Sequence, residues 1–322
     1  MTALRTYLCC VLFILFPASL YAWGPIGHMA VGYVAYKQLT PATKARVHDL
    51  LKLNPDYGNW EKQIPGGTSP EDHDMMIFMI ATTWADDIKG DSRYSDDGPD
   101  PNAPAGVSSS QNIGYGDLFR HRYWHFVDTP FSPDGTALPT IPVPNAQTQI
   151  VAFRAVLSSS QPDALKSYDL VWLLHLIGDV HQPLHATMRV TRAEAGGDAG
   201  GNKVKLVGDA ASNLHTYWDD IPGSDCKFCS DKVPCVNRAA VFGKNLGAAP
   251  LRSSHSSDTA AWVRESFESA RALVYAIPIG DRDGPYTIVP RSDYDLGAYR
   301  LTKRRIAMAG ARLAQVLNNE LR

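Results

Sequence analysis

Residues 168–180 read YDLVWLLHLIGDV. Apolar side chains occupy nearly every face of this stretch when it is wound as a helix. It therefore predicts a helix buried all round, not one lying half-exposed on a surface. Such a helix has to be wrapped by others. Yet it carries His175 and Asp179, four residues apart and so on one side. A carboxylate or imidazole buried without compensation costs on the order of several kcal/mol. The pair needs each other, a backbone group or a cation.

Helical periodicity also runs through Trp23 to Leu53, around Ala30, Val34, Ala35 and Leu39. It recurs from Met75 to Trp84, from Ala146 to Leu157, from Asn213 to Asp219, from Thr259 to Tyr275 and from Asp295 to Leu321. Four segments read as loops: residues 90–117, rich in Asp, Pro, Gly and Ser; the proline-punctuated 129–145; EAGGDAGGN at 194–202; and a cysteine loop over 221–235. Alternating strand patterns are scarce. Lys203 to Val207 is a candidate short strand, with room in the chain for one short β-hairpin. The pattern predicts an all-α fold in a single domain with long loops, without internal repeat or low-complexity tract.

The chain has 322 residues, which fits one large domain or two small ones at roughly 150 residues each. A hydrophobic content of 44% excludes a disordered or fibrous chain. Lys and Arg total 31 against 33 Asp and Glu, a net charge of -2. No basic surplus exists to hold nucleic acid by bulk electrostatics. A polyanionic substrate would need positive charge from another source, such as bound metal ions.

Residues 1–22, MTALRTYLCCVLFILFPASLYA, have Arg5 as their one charge, an apolar core from Leu8 to Phe16, and small residues Ser19 and Ala22 before Trp23. This predicts a signal peptide cleaved between Ala22 and Trp23, hence a secreted or periplasmic protein. The apolar run is short for a membrane span, and stable membrane association is not expected. Cleavage would leave Cys226, Cys229 and Cys235. Three thiols so spaced can ligate zinc, but in an exported chain a local disulfide with one odd thiol is favoured, its pairing open.

Histidine spacing carries the chemistry. His185 stands six residues past Asp179 in HQPLH, with Pro183 ending the helix between them. His215 and Asp219, in NLHTYWDD, repeat the four-residue spacing of His175 and Asp179. Such nitrogen and oxygen donors suit zinc, although polar pairs at this spacing also stabilise ordinary helices. Cleavage before Trp23 would add a free α-amino group five residues from His28, and a deprotonated amine is a good metal ligand. Gly24, Pro25 and Gly27 permit the tight path that brings it back toward His28.

The blocks WGPIGH (23–28), WADD (84–87), WHFVD (124–128), HLIGDVHQPLH (175–185), DAGGN (198–202) and LHTYWD (214–219) occur in that order, followed by AGARLAQVLN (309–318). Together they resemble the zinc-dependent single-strand nucleases of the S1/P1 type, a family that includes plant endonucleases and 3'-nucleotidases and shares its fold with bacterial zinc phospholipase C. The resemblance spans nearly all of residues 23–322.

It implies three Zn2+ ions. Asp86, His125, His175 and Asp179 would hold the first. Trp23, through its amino nitrogen and carbonyl oxygen, and His28 would hold the second, with Asp179 bridging. His185, His215 and Asp219 would hold the third. It further implies hydrolysis of single-stranded DNA and RNA to 5'-nucleotides, and of 3'-nucleotides, by a zinc-activated hydroxide attacking phosphorus, with the third ion stabilising the leaving oxygen. Asp86, Lys89 and Asp179 are the expected catalytic residues. Lys89 stands where the family often has arginine, and lysine offers charge without a bidentate fork. Phe126 matches the family's base-stacking aromatic, with core packing as its ordinary alternative. Asp128 matches a base-binding carboxylate. Asn202 matches a phosphate or loop contact, with turn formation as the alternative. A monomer is expected.

Other residues read as structural: His48, His73 and His255 at the surface, His181 behind the ligands, Asp87 and Asp220 beside them, and Tyr217 and Trp218 in the core. His121 lies four residues before His125, but the HFVD block selects His125. The rival activity is a zinc-dependent phospholipase C, in which the second His-x3 pair usually ends in glutamate instead of Asp219. A secreted zinc-binding protein without activity is the non-enzymatic rival.

Overall fold

The computed structural model describes residues 23–97, 117–208, 211–224, 226, 231–247, 256–282 and 284–321. The predicted signal peptide, His255 and Cys229 lie outside the described residues, as does most of the 90–117 loop.

The fold is all-α. Eleven α-helices occur among the described residues: α1 (Pro25–Tyr36), α2 (Pro41–Leu51), α3 (Tyr57–Glu61), α4 (Pro70–Ala81), α5 (Trp84–Asp87), α6 (Ala146–Leu157), α7 (Asp163–Asp179), α8 (Leu214–Asp220), α9 (Val233–Lys244), α10 (Thr259–Ser269) and α11 (Asp293–Glu320). Local chemistry sets where several begin. Pro25, Pro41 and Pro70 take the first turn, where a missing N–H costs nothing. Thr40, Ser69, Asn145, Asn213 and Ser292 each accept a backbone N–H from the first turn they precede. The single periodic stretch expected over Trp23 to Leu53 is two helices. The chain turns at residues 37–40, and Thr40–Pro41 restarts it.

The predicted central helix is α7, and every residue from Asp169 to Asp179 is buried. Around it pack α1, α2, α5, α6 and α11. One core includes Trp23, Met29, Phe78, Trp84, Trp124, Trp172 and Leu313. A smaller one gathers Leu184, Val204, Leu214, Trp218, Val274 and Tyr294. The turn from Asp179 to His185 joins them: Val180 belongs to the first and Leu184 to the second.

The short hairpin for which the chain has room does not form among the described residues. Pro130–Phe131 instead pairs in parallel with Met188–Arg189, as β1 and β2. Lys203 to Val207 forms only isolated bridges, Lys205 to Asn213 and Leu206 to Tyr286. The parallel pairing extends upstream, where the Val127 N–H donates to the His185 carbonyl at 2.7 Å. It thereby sets the His125 and His185 segments side by side. Cys226 is disulfide-bonded to Cys235.

Candidate metal centre

Helix α7 delivers His175 and Asp179 to the core, and neighbouring elements bring the rest. Three groups of donor atoms result, each within 4.8 Å: His28, His175 and Asp179; Asp86, His125 and His175; His185, His215 and Asp219. All of these residues are buried.

Asp179 stands between the first two groups. One oxygen is 3.3 Å from both His28 Nε2 and His175 Nε2. The other is 3.1 Å from His125 Nδ1. Asp86 lies 3.6 Å from His175 Nε2 and 3.8 Å from His125 Nδ1. His28 stacks on His175 with ring centroids 3.9 Å apart. That approach needs Gly178, because a Cβ there would lie 2.9 Å from His28 Nδ1.

Backbone carbonyls aim three of the rings. His175 Nδ1 donates to Thr82 O at 2.8 Å, His185 Nδ1 to His125 O at 2.7 Å, and His215 Nδ1 to Gly200 O at 2.7 Å. When neutral, each ring so bonded presents a bare Nε2, as histidines oriented for metal do. Gly200 makes the last bond available. Its φ is +58°, and a Cβ there would lie 2.5 Å from Leu184 O. Gln182 donates to Asp219 Oδ1 at 2.7 Å and so orients that carboxylate.

These donors fit a cation. His185 and His215 face each other through Nε2 atoms 3.1 Å apart, and with both Nδ1 atoms donating, two lone pairs would meet unless positive charge lies between. Both ring nitrogens of His28, His125 Nε2 and Asp179 Oδ1 are buried without a hydrogen-bond partner. Burial, neighbouring histidines and Lys89 hold the His28 and His125 pKa values well below the usual imidazole range, so these rings are neutral donors. Burial opposes charge on His175, but Asp179 and Asp86 outweigh it and raise its pKa. Burial pushes Asp179 up to about 6 against the pull of His175. A divalent cation would compete with protons for these same donor atoms.

The Trp23 side chain is fully buried, and the Gly24 N–H donates to Asp219 O at 2.9 Å. That bond ties the start of the described chain to the helix carrying His215 and Asp219. Lys89 is 7% exposed, with Nζ 2.6 Å from Asp86 Oδ1.

Beside the His185 group opens a cleft lined by Phe126, Asp128, Leu184, Ala199, Gly200 and Asn202. Phe126 is half-buried on the cleft wall. Burial, reinforced by the nearby Asp198 carboxylate, pushes Asp128 up to about 6. Asn202 Nδ2 donates to Ala199 O at 2.8 Å, so this N–H serves the local turn while the residue lines the cleft.

His121 is directed elsewhere. Its nitrogens lie 3.0 Å from Asp97 and 3.0 Å from Asp117, which raise its pKa despite burial. Its ring stacks on Trp124 at 3.5 Å. His48 and His73 are half-buried and both lie 3.2 Å from Asp74. Asp87 is partly exposed and pairs with Lys232 at 2.8 Å. Sequence reasoning passed over Gln182, Gly178 and the Thr82 carbonyl. Only the first left a signal, as the polar residue inside HQPLH.

A family model described as S1/P1 Nuclease matches residues 23–322, and the chain belongs to that family. Among curated relatives, nuclease S1 of Aspergillus oryzae is 26% identical over 211 residues, covering 62% of this chain and 54% of that protein. Nuclease P1 of Penicillium citrinum is 25% identical over 209 residues, covering 61% and 57%. Endonuclease 3 of Arabidopsis thaliana is 28% identical over 167 residues, covering 46% and 50%. The chain spans about half the length of the curated relatives it matches.

Proposed function

We propose that the chain from Trp23 onward is an exported, monomeric hydrolase that cleaves single-stranded DNA and RNA to 5'-nucleotides and removes phosphate from 3'-nucleotides. The reading is carried by one observation: buried His and Asp donors gather in three groups, and the His185 and His215 group borders a cleft that holds an aromatic ring and a carboxylate. Membership of the S1/P1 nuclease family supports it. No helix among the described residues is long and apolar enough to cross a membrane.

In this reading Asp86, His125, His175 and Asp179 hold one Zn2+, Trp23 and His28 with Asp179 a second, and His185, His215 and Asp219 a third. Bound zinc supplies Lewis-acid stabilisation and an activated water. The remaining work belongs to the chain. Lys89 places an ammonium beside Asp86, next to where a scissile phosphate would lie. Phe126 offers its ring to an unpaired base, a contact any base can make. Asp128 hydrogen-bonds the base edge, and Asn202 borders the phosphate path. The bound ions would replace the basic patch that a net charge of -2 does not provide.

The test is hydrolysis of single-stranded DNA, RNA and a 3'-nucleotide by the chain starting at Trp23, before and after chelation, with zinc counted per molecule. Activity lost on chelation and restored by zinc, at close to three ions per chain, is expected. Zinc binding with lipid hydrolysis instead of nucleic-acid cleavage would replace this reading with a phospholipase C. Fewer than two ions in a folded chain would overturn the ligand assignment.

A further inference from the structure

The HQPLH turn is gripped from behind by the C-terminal helix, and nothing in the proposed chemistry uses that grip. His181 is fully buried. Its Nδ1 donates to Ile177 O at 2.7 Å, and its Nε2 accepts from Arg312 Nη1 at 2.8 Å. Arg305 Nε donates to His181 O at 3.1 Å, and Ser266 Oγ donates to Val180 O at 2.5 Å. Glu265 aligns both guanidinium groups. It accepts from Arg312 at 2.8 and 2.9 Å and from Arg305 at 3.1 Å.

Arg312 is 0% and Arg305 3% exposed, so two guanidinium groups are buried against one carboxylate. Such arrangements often give no more stability than apolar packing of the same volume. They do give direction, because a planar fork bonds in one geometry. Here both arginines act on residue 181, and Arg305 also donates to Ser266 Oγ, which donates on to the residue 180 carbonyl. Asp179 lies immediately before these two residues. Gln182, which orients Asp219, lies immediately after, and His185 follows.

We propose that His181, Arg305 and Arg312 are positioning residues that set the spacing between the two sides of the metal centre, Asp179 on one and Asp219 with His185 on the other. This rests on the reading that these groups bind zinc. The C-terminal helix is then part of the site, although it contributes no residue to the three donor groups.

The experiment measures zinc affinity by chelator competition, and melting temperature with and without zinc, in the chain starting at Trp23 and its variants. His181→Phe keeps a ring against Trp262, whose centroid is 5.7 Å away, but removes both nitrogens. It is expected to weaken zinc binding about 10- to 100-fold, the usual effect of losing a residue that orients a ligand. The melting-temperature gap between zinc-loaded and zinc-free protein should shrink. His181→Gln restores an acceptor for Arg312 and should recover part of the affinity. Arg312→Lys keeps the charge, loses the fork and should weaken zinc in the same direction, which covers the case in which His181→Phe does not fold. Parental zinc affinity in these variants, with equal loss of melting temperature in both forms, would make the cluster purely structural and overturn the inference alone. A parent chain that binds no zinc would overturn the underlying reading as well.

Discussion

His185 and His215 come from segments thirty residues apart, yet their Nε2 atoms meet at 3.1 Å while each Nδ1 donates to a backbone carbonyl. Two neutral rings so fixed direct lone pairs at each other, and Asp219 stands 3.5 Å from His215. The arrangement is favourable only with positive charge between the rings.

Metal removal should therefore destabilise the fold as well as abolish activity. A site held at free zinc one hundred times its dissociation constant adds about 2.7 kcal/mol to stability. Thermal unfolding followed by circular dichroism, with and without chelator, should show a drop of several degrees that added zinc reverses. Identical curves would contradict the metal assignment.

Gly178→Ala should damage the centre without touching a ligand. The new Cβ would lie 2.9 Å from His28 Nδ1, so the buried ring or the helix must shift. Overpacking of this kind costs about 1–3 kcal/mol. Zinc content and melting temperature should both fall, and an unchanged zinc count would show that His28 is not held where its ligand role requires.

Phe126→Ala separates binding from metal chemistry. Loss of one base stack is worth about 1–3 kcal/mol, so kcat/KM on single-stranded DNA should fall roughly 5- to 150-fold. Zinc stoichiometry should stay at the parental value. A steady-state comparison of parent and variant, each with zinc counted, checks both expectations.

Asp128→Asn has a pH signature. The Asp128 pKa is raised to about 6 by burial and by Asp198. The folded state thus binds a proton more tightly than the unfolded chain. The resulting stability is present below the unfolded value near 4 and is lost as pH rises through about 6. Asparagine removes that loss. The variant should gain stability relative to the parent at pH 8, and the gain should vanish below about pH 4. Denaturant midpoints across that range, measured on zinc-free protein, decide the matter. A gain that grows on acidification would contradict the burial of this carboxylate.

Much of the fold was legible in local patterns. Saturation of YDLVWLLHLIGDV with apolar residues required a wrapped central helix, and α7 is that helix. Asn145 and Asn213 mark helix starts because a side chain can reach the next turn's N–H without help from the rest of the protein. The break after Tyr36 was less legible, since apolar periodicity continues across it and only Thr40–Pro41 signals the restart. The parallel pairing of Pro130–Phe131 with Met188–Arg189 was not legible at all. Two-residue strands have no alternation to detect, and their partners are more than fifty residues apart.

The sequence by itself determined which donors are available. Buried His175 and Asp179 needed compensation, and His185, His215 and Asp219 repeated the same chemistry, because residue type and helical spacing are local properties. Only the tertiary structure decided how they are used. It sent His121 to Asp97 and Asp117, aimed His175 through the Thr82 carbonyl, bonded Gln182 to Asp219, and closed Cys226 onto Cys235. Ring tautomer and direction depend on which carbonyl the other nitrogen meets. That partner comes from a distant segment, brought there by packing that no local pattern encodes.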